Sequence, residues 1–340
     1  EFFGYLHQLH AHFLYPDYLW DNNRKWELPG NQVLNRMEGD ANGQRTQYAM
    51  DEILNHALYF INENRDRPFL CFISSVLPHE ELALPSNREF YNMYKGKFEE
   101  TEEFNDPRYG QVDVEDPKAV FATIITYMDY QFGKVMSLLK SLKLDENTLV
   151  IFASDNGPRM GWEFYDFFES TGPFRGKKGE LYEAGIRIPM IARWPGKIRS
   201  GVVNDNTVCY FPDILPTFCE IAGTKIPGNI DGISILPALL GNNKQKTHDY
   251  LYWEYGEYDN NGYITTLDKA VRKGNWKAVK NQKISTIELY NLANDISESR
   301  NVAVEHPEIV LEMEKIMDEL HIDPYPQIEP LKEKYQLYGY

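Results

Sequence analysis

The feature that most constrains this chain is a pattern met twice: an amphipathic helix, a polar turn, then a short run that is apolar at every position. Met50, Ile53, Leu54, Ala57, Leu58 and Ile61 recur at helical spacing before the polar segment 62–68 and the run Phe69-Leu70-Cys71-Phe72-Ile73. Phe121, Ile124, Ile125, Met128, Phe132, Val135, Met136, Leu139 and Leu142 trace a second helical face, after which Asp145-Glu146-Asn147 turns into Thr148-Leu149-Val150-Ile151-Phe152-Ala153. A strand that is apolar on both faces needs cover on both, so the pattern predicts an α/β fold, a mixed sheet flanked by helices, with buried strands at 69–76 and 148–153. A further strand over Ile188 to Arg193 and a helix starting near Pro212 (Ile214, Leu215, Phe218, Ile221) extend this larger unit.

After Leu240-Gly241 the texture changes. Tyr250 to Tyr255, Ala270 to Val279 and Ile287 to Leu292 are short, aromatic-rich strand candidates between Gly/Asn/Asp turns, and Ile309, Met313, Ile316, Met317 and Leu320 mark a terminal amphipathic helix. The expected division is an α/β core over 1–241 and an α+β subdomain over 242–340, the latter a small antiparallel sheet with one packing helix. Glu99 to Asp116 reads as an acidic surface loop.

Charge then limits the partners. With 35 Lys and Arg against 51 Asp and Glu, the net charge is −16, which disfavours nucleic acid and anionic membranes alike. No apolar stretch approaches the ~20 residues that a spanning helix needs. Cys71, Cys209 and Cys219 form neither a disulfide framework nor a zinc spacing. The chain opens at Glu1 directly into Phe2-Phe3-Gly4, which suggests a processed chain or a piece of a longer one.

Four constellations carry possible chemistry. Ser154-Asp155-Asn156-Gly157-Pro158 follows a strand end, where open α/β sheets collect ligands, and its oxygens suit a hard cation such as calcium; a plain turn explains the same residues. Pro78-His79 follows the other apolar run and offers a general acid or an anion contact, against the ordinary alternative of a structural histidine. The Gly-interleaved loop from Gly172 to Glu180 holds Arg175, Lys177 and Lys178. Between Thr171 and Ser200 seven Lys/Arg face two acids, a basic island able to grip an anion or simply a solvated loop. His7, His10 and His12 cluster near the start, as a metal pair or in a packing or substrate-wall role among aromatic neighbours.

Taken in chain order, Ser154-Asp155-Asn156-Gly157, the loop Gly172-Pro173-Phe174-Arg175-Gly176-Lys177-Lys178-Gly179, and Glu183-Ala184-Gly185-Ile186-Arg187-Ile188-Pro189 resemble the second half of the formylglycine-dependent sulfatases. Arg193-Trp194-Pro195-Gly196-Lys197-Ile198, Asp213-Ile214-Leu215-Pro216-Thr217, Pro78-His79, Arg272 to Lys277 and Glu288 to Leu292 extend the resemblance over essentially the whole chain. The opening Phe3-Gly4-Tyr5-Leu6 through Ala11-His12 and Tyr15-Pro16-Asp17 is similar to the mid-chain segment of bacterial carbohydrate sulfatases.

The resemblance implies an alkaline-phosphatase-like sulfatase fold and hydrolysis of sulfate esters, of carbohydrates or aryl sulfates, in an exported protein. It implies that Asp155 and Asn156 are calcium ligands, that Lys178 bridges the sulfate and the leaving-group oxygen, and that His79 lies near that oxygen. His10, His12 and Arg175 are weaker substrate-binding candidates. Two departures are small: Glu183-Ala184-Gly185 stands where Glu-Gly-Gly is commoner, and Glu80-Glu81 follows His79 where a proline is usual. The third is large. The family's formylglycine arises in a Cys/Ser-x-Pro-x-Arg motif within an N-terminal segment that also carries two acidic calcium ligands, a Lys and a His. None of the 19 prolines here has Cys or Ser two positions before it. The expected nucleophile therefore lies outside these residues, in a missing N-terminal segment that is a possible separate chain. Two alternatives stand beside this: a non-catalytic scaffold or glycan-binding module of the same fold, and a phosphoester or phosphonate hydrolase of the same superfamily.

Overall fold

The computed structural model describes residues 1–32, 45–79, 81–100, 103–104, 114–242, 244–258, 264–281 and 286–322. The chain divides into two compact units, one of Glu1–Leu149, Gly161–Phe168 and Trp194–Gly196, the other of Val150–Met160, Glu169–Arg193 and Lys197 onward. These units follow packing, whereas the expected boundary at 241 follows sequence texture, so residues 169–193 share a unit with the C-terminal sheet.

The first unit contains a three-stranded antiparallel sheet, β1 (Phe3–Gly4), β2 (Tyr18–Asp21) and β3 (Arg24–Glu27). With it go helices α1 (Gln8–Ala11), α2 (Ala49–Glu63), α3 (Glu89–Asn92), α4 (Pro117–Ser141) and α5 (Glu163–Phe167). The apolar stripe of α2 buries Met50, Leu54 and Ile61. In α4 Pro117 occupies the first turn, where its missing N–H costs nothing, and Ile124, Tyr127, Val135 and Leu139 are buried. Asp51 of α2 ties the two helices by accepting from the Tyr127 hydroxyl at 2.5 Å and the Gln131 amide at 3.0 Å. Phe121 of α4 joins Phe104, Trp162, Phe164 and Tyr165 in an aromatic cluster of edge-to-face contacts and tilted pairs, Phe164 with Tyr165 among the latter.

One expected element is absent. Residues 69–76 are extended but belong to no ladder, and Leu70 and Phe72 are 67% and 87% exposed. An apolar run encodes the need for cover and for ladder partners; among the described residues no ladder partner is present, and cover is partial, from Phe60 against Phe69 and from Met50 near Ser75 and Val76. Glu80, and positions 101–102 and 105–113 of the acidic loop, lie outside the described residues.

The second unit has two sheets. β4 (Val150–Ala153) pairs antiparallel with β5 (Met190–Arg193), Val150 opposite Arg193. The larger sheet is β6 (Leu251–Tyr258), β7 (Ile264–Lys273), β8 (Trp276–Asn281) and β9 (Thr286–Asn291), antiparallel in that order. The stretch Ala270 to Val279, expected as one strand, is a hairpin: Lys273 pairs with Trp276 across Gly274-Asn275, and Gly274 takes φ +58°. Helices α6 (Glu183–Ile186), α7 (Ile214–Ile221), α8 (Leu236–Leu239) and α9 (Pro307–Leu320) complete the unit.

The period of two divides the larger sheet into two buried faces. Val271, Ala278 and Leu289 meet Met313 and Met317 of α9. Ala270, Val279 and Tyr290 meet Leu181 and Tyr182, with Trp253 packed alongside. Fully burying each large apolar side chain here contributes about 1.5–3 kcal/mol. The glycine-rich segment 172–186 thus rests on the sheet's second face.

Candidate functional site

β4 delivers Ser154, Asp155 and Asn156 at its C-terminal end. The Ser154 hydroxyl donates to the Asn156 carbonyl at 2.8 Å, folding the turn, and Asp155 is exposed. The turn is joined to the basic loop at two points: Gly157 N–H donates to Gly185 O at 3.0 Å, and Lys178 N–H donates to Pro158 O at 2.8 Å. Neither glycine can be larger. A Cβ at Gly157 would lie 1.7 Å from Ala184 O, and one at Gly185 would lie 2.0 Å from Glu180 O. The residue between, Ala184, is accommodated, so the first small departure from the family pattern leaves the close approach intact.

Lys178 is half-buried, and burial lowers its ammonium pKa, opposed by Asp155 and reinforced by Arg159. A cation held near a carboxylate and partly out of water is suited to an anionic group. Asp155 and Asn156 offer the oxygen donors a calcium ion prefers, yet two residues are part of a shell of six to eight. Among the described residues no group of three or more His, Cys, Asp or Glu is placed to hold a metal ion.

A buried ion network fixes the loop. Lys277 of β8 has no exposed side-chain surface and reaches Glu183 at 3.0 Å and Glu298 at 2.8 Å. Arg187 grips Glu183 through Nε at 2.9 Å and a terminal nitrogen at 2.6 Å, and Glu298 accepts from Glu183 N–H at 2.6 Å. Burial pushes the Glu183 carboxyl up, but Lys277 and Arg187 outweigh it and hold it below the usual carboxylate range. Burial prevails at Glu298, whose carboxyl is raised. Arg175, a candidate anion contact, lies over the Tyr182 ring at 3.9 Å and donates to the Tyr290 hydroxyl at 2.6 Å and the Glu298 carbonyl at 3.1 Å. Its guanidinium thereby pins the loop to the sheet. Glu183 and Lys277 stand inside the motifs that carry the family resemblance, and Lys277 is also a charged residue in the apolar alternation of a strand; Glu298 has neither signal.

In the first unit the histidines separate. His7 caps α1, its Nδ1 accepting from Leu9 N–H at 3.2 Å. His10 is buried against Tyr5, ring centres 5.1 Å apart, and Tyr18, 4.6 Å apart. His12 instead stacks on His79, with centres 4.7 Å apart and planes 25° off parallel. His79 sits just after the Leu77-Pro78 bond, its N–H donating to Val76 O at 2.9 Å. The pairing of His12 with His79 brings together two candidates that the sequence placed in different constellations.

Comparison with known proteins gives the family. The sulfatase family model matches residues 4–224, and that of the N-sulphoglucosamine sulphohydrolase C-terminal region matches 175–323. A sulfatase of Formosa agariphila is 30% identical over 267 residues, 71% of this chain and 43% of that protein. An N-acetylgalactosamine-6-O-sulfatase of Bacteroides thetaiotaomicron is 33% identical over 218 residues, 57% of this chain and 40% of that protein. The solved structure of Ps i-CgsB in complex with k-i-k-neocarrahexaose superposes with a TM-score of 0.66 at 23% identity, covering 89% of this chain and 57% of that one. The chain thus spans about half or less of the length of these relatives, and its fold is the alkaline-phosphatase-like fold of the sulfatases. With its Asp155-Asn156 turn, its lysine loop and its C-terminal sheet all within the matched regions, the chain belongs to the sulfatase family.

Proposed function

We propose that this chain carries the leaving-group side of a site that hydrolyses sulfate esters of carbohydrates. The observation that supports it is the joining of the Lys178 loop to the Asp155-Asn156 turn by the Lys178–Pro158 and Gly157–Gly185 hydrogen bonds. Hydrolysis breaks the ester bond between sulfur and oxygen and leaves negative charge on the departing sugar oxygen. Lys178 stabilises that charge as an ammonium, and the family resemblance gives His79, which stacks with His12, the role of proton donor. Asp155 and Asn156 would hold a calcium ion, which when bound polarises the sulfate oxygens. The nucleophile, a formylglycine, is supplied from outside these 340 residues, because no Cys/Ser-x-Pro-x-Arg motif occurs among them. A sugar substrate accords with the carbohydrate named for the Bacteroides thetaiotaomicron relative and with the neocarrahexaose bound by Ps i-CgsB.

The test is binding and turnover on the purified chain. Inorganic sulfate titrated at low ionic strength is expected to bind, and Lys178→Ala to weaken that binding about ten-fold, the loss of one charge-assisted contact. An aryl sulfate is expected to remain uncleaved by the chain alone. Unchanged sulfate affinity in Lys178→Ala, or aryl sulfate turnover abolished by that substitution, would refute the respective half of the proposal.

A further inference from the structure

The segment bearing Lys178 borders a tyrosine that neither the motifs nor the family match singles out. Tyr255 lies on β6, the edge strand of the larger sheet, opposite Asp268 of β7. It is two residues beyond Trp253, which packs with Ala270, Val279 and Tyr290 on the face covered by Leu181 and Tyr182. Period-two alternation puts Tyr255 on the same face, one step further along the strand. There the cover stops. Tyr255 is 44% exposed, while its phenol reaches Gly179: a Cβ at that glycine would lie 3.4 Å from the Tyr255 hydroxyl and 3.6 Å from the ring carbon bearing it. Gly179 directly follows Lys178 in the chain, and its φ of +87° fixes the turn that brings the loop over the strand.

An exposed aromatic ring that reaches the residue next to a half-buried lysine is a pairing that suits a charged sugar. The cation takes the anionic substituent, and the ring takes the C–H face of the pyranose, which is apolar although the molecule as a whole is not. The other aromatic groups of this face, Trp253, Tyr182 and Tyr290, are engaged with the sheet and with Arg175. We propose that Tyr255 is a specificity-determining residue, forming one wall of a sugar subsite beside Lys178 on which the pyranose ring of a sulfated monosaccharide packs. This deepens the carbohydrate-sulfate reading and rests on it.

The experiment uses the full chain and two probes, inorganic sulfate and N-acetylgalactosamine 6-sulfate, followed by calorimetric titration and saturation-transfer NMR. Wild-type chain is expected to bind the sugar sulfate more tightly than sulfate. Tyr255→Ala weakens the sugar sulfate by about ten-fold and leaves inorganic sulfate within two-fold. Tyr255→Phe retains sugar binding, since the ring and not the hydroxyl makes the wall. Tyr255→Leu keeps apolar bulk at the edge strand without the ring; matching circular dichroism and melting temperature in this variant, together with weakened sugar binding, separate recognition from folding. Sugar binding undiminished in both Tyr255→Ala and Tyr255→Leu, while Lys178→Ala weakens both probes, overturns the subsite and leaves the sulfate reading standing. Equal affinity of the wild-type chain for sulfate and sugar sulfate also overturns the subsite. Loss of sugar binding in Tyr255→Phe overturns the ring-packing role. No effect of Lys178→Ala on either probe overturns the parent reading, and the Tyr255 proposal with it.

Discussion

Lys277 shows how far a single side chain can matter away from any ligand. It is wholly buried between Glu183 and Glu298, and its removal would leave two carboxylates in the interior with one remaining arginine partner. Lys277→Ala is expected to destabilise the chain by about 3–5 kcal/mol, measured by urea unfolding. The pH dependence separates the two acids. Lys277 and Arg187 overcome burial to hold Glu183 below its ordinary range, so its stabilisation is present above the unfolded carboxylate pKa of about 4.3 and is lost as pH falls through the lowered value. The raised carboxyl of Glu298 contributes in the opposite sense, most in acid and less as pH rises through its value. Glu183→Gln should therefore lower the urea midpoint clearly at pH 7, with the gap to wild type narrowing below about pH 4; a constant gap would refute the assignment. Lys178, Asp155 and Asn156 can be singled out as candidates from sequence because each stands in a compact motif. The Glu183–Lys277–Glu298 network and the His12–His79 stack cannot, because pairs 94 and 67 positions apart meet only through topology.

Elements were more legible than their cover. The stripes of α2, α4 and α9 carry their own period, and β6 to β9 alternate cleanly against two apolar faces. The hairpin at Gly274-Asn275 does carry a signal, a Gly-Asn pair inside the polar break Arg272-Lys273-Gly274-Asn275, which a reading of 270–279 as one strand passes over. The run at 69–76 misled for the converse reason: its composition asks for neighbours that composition cannot supply. At the joint between the Asp155-Asn156 turn and the lysine loop, Gly185→Ala is expected to cost roughly 1–3 kcal/mol by forcing backbone apart, whereas Ala184→Gly costs at most about 1 kcal/mol. Thermal unfolding checks both, and a sulfate titration should show weakened binding in Gly185→Ala alone.

The whole chain presents apolar surface that its sequence marks for burial. Leu70 and Phe72 lie exposed on a segment with no ladder, and Ile191 of β5 is 65% exposed. No helix among the described residues is long and apolar enough to cross a membrane. Exposed extended apolar segments promote association, so the purified chain should bind a hydrophobic dye and sediment as concentration-dependent oligomers. Leu70→Ser with Phe72→Ser should reduce both without lowering the melting temperature. The sheet from β6 to β9 has a different reach. Its one face seats α9 and its other face seats the loop of Lys178, so the loop's shape is inherited from strands that begin more than 70 positions later. In evolutionary exchange between relatives, a crossover near residue 241 would hand the lysine a foreign floor. Segments 169–193 and 251–320 are therefore expected to descend together as one block of ancestry, and any grafting of this loop onto another scaffold has to carry its sheet along.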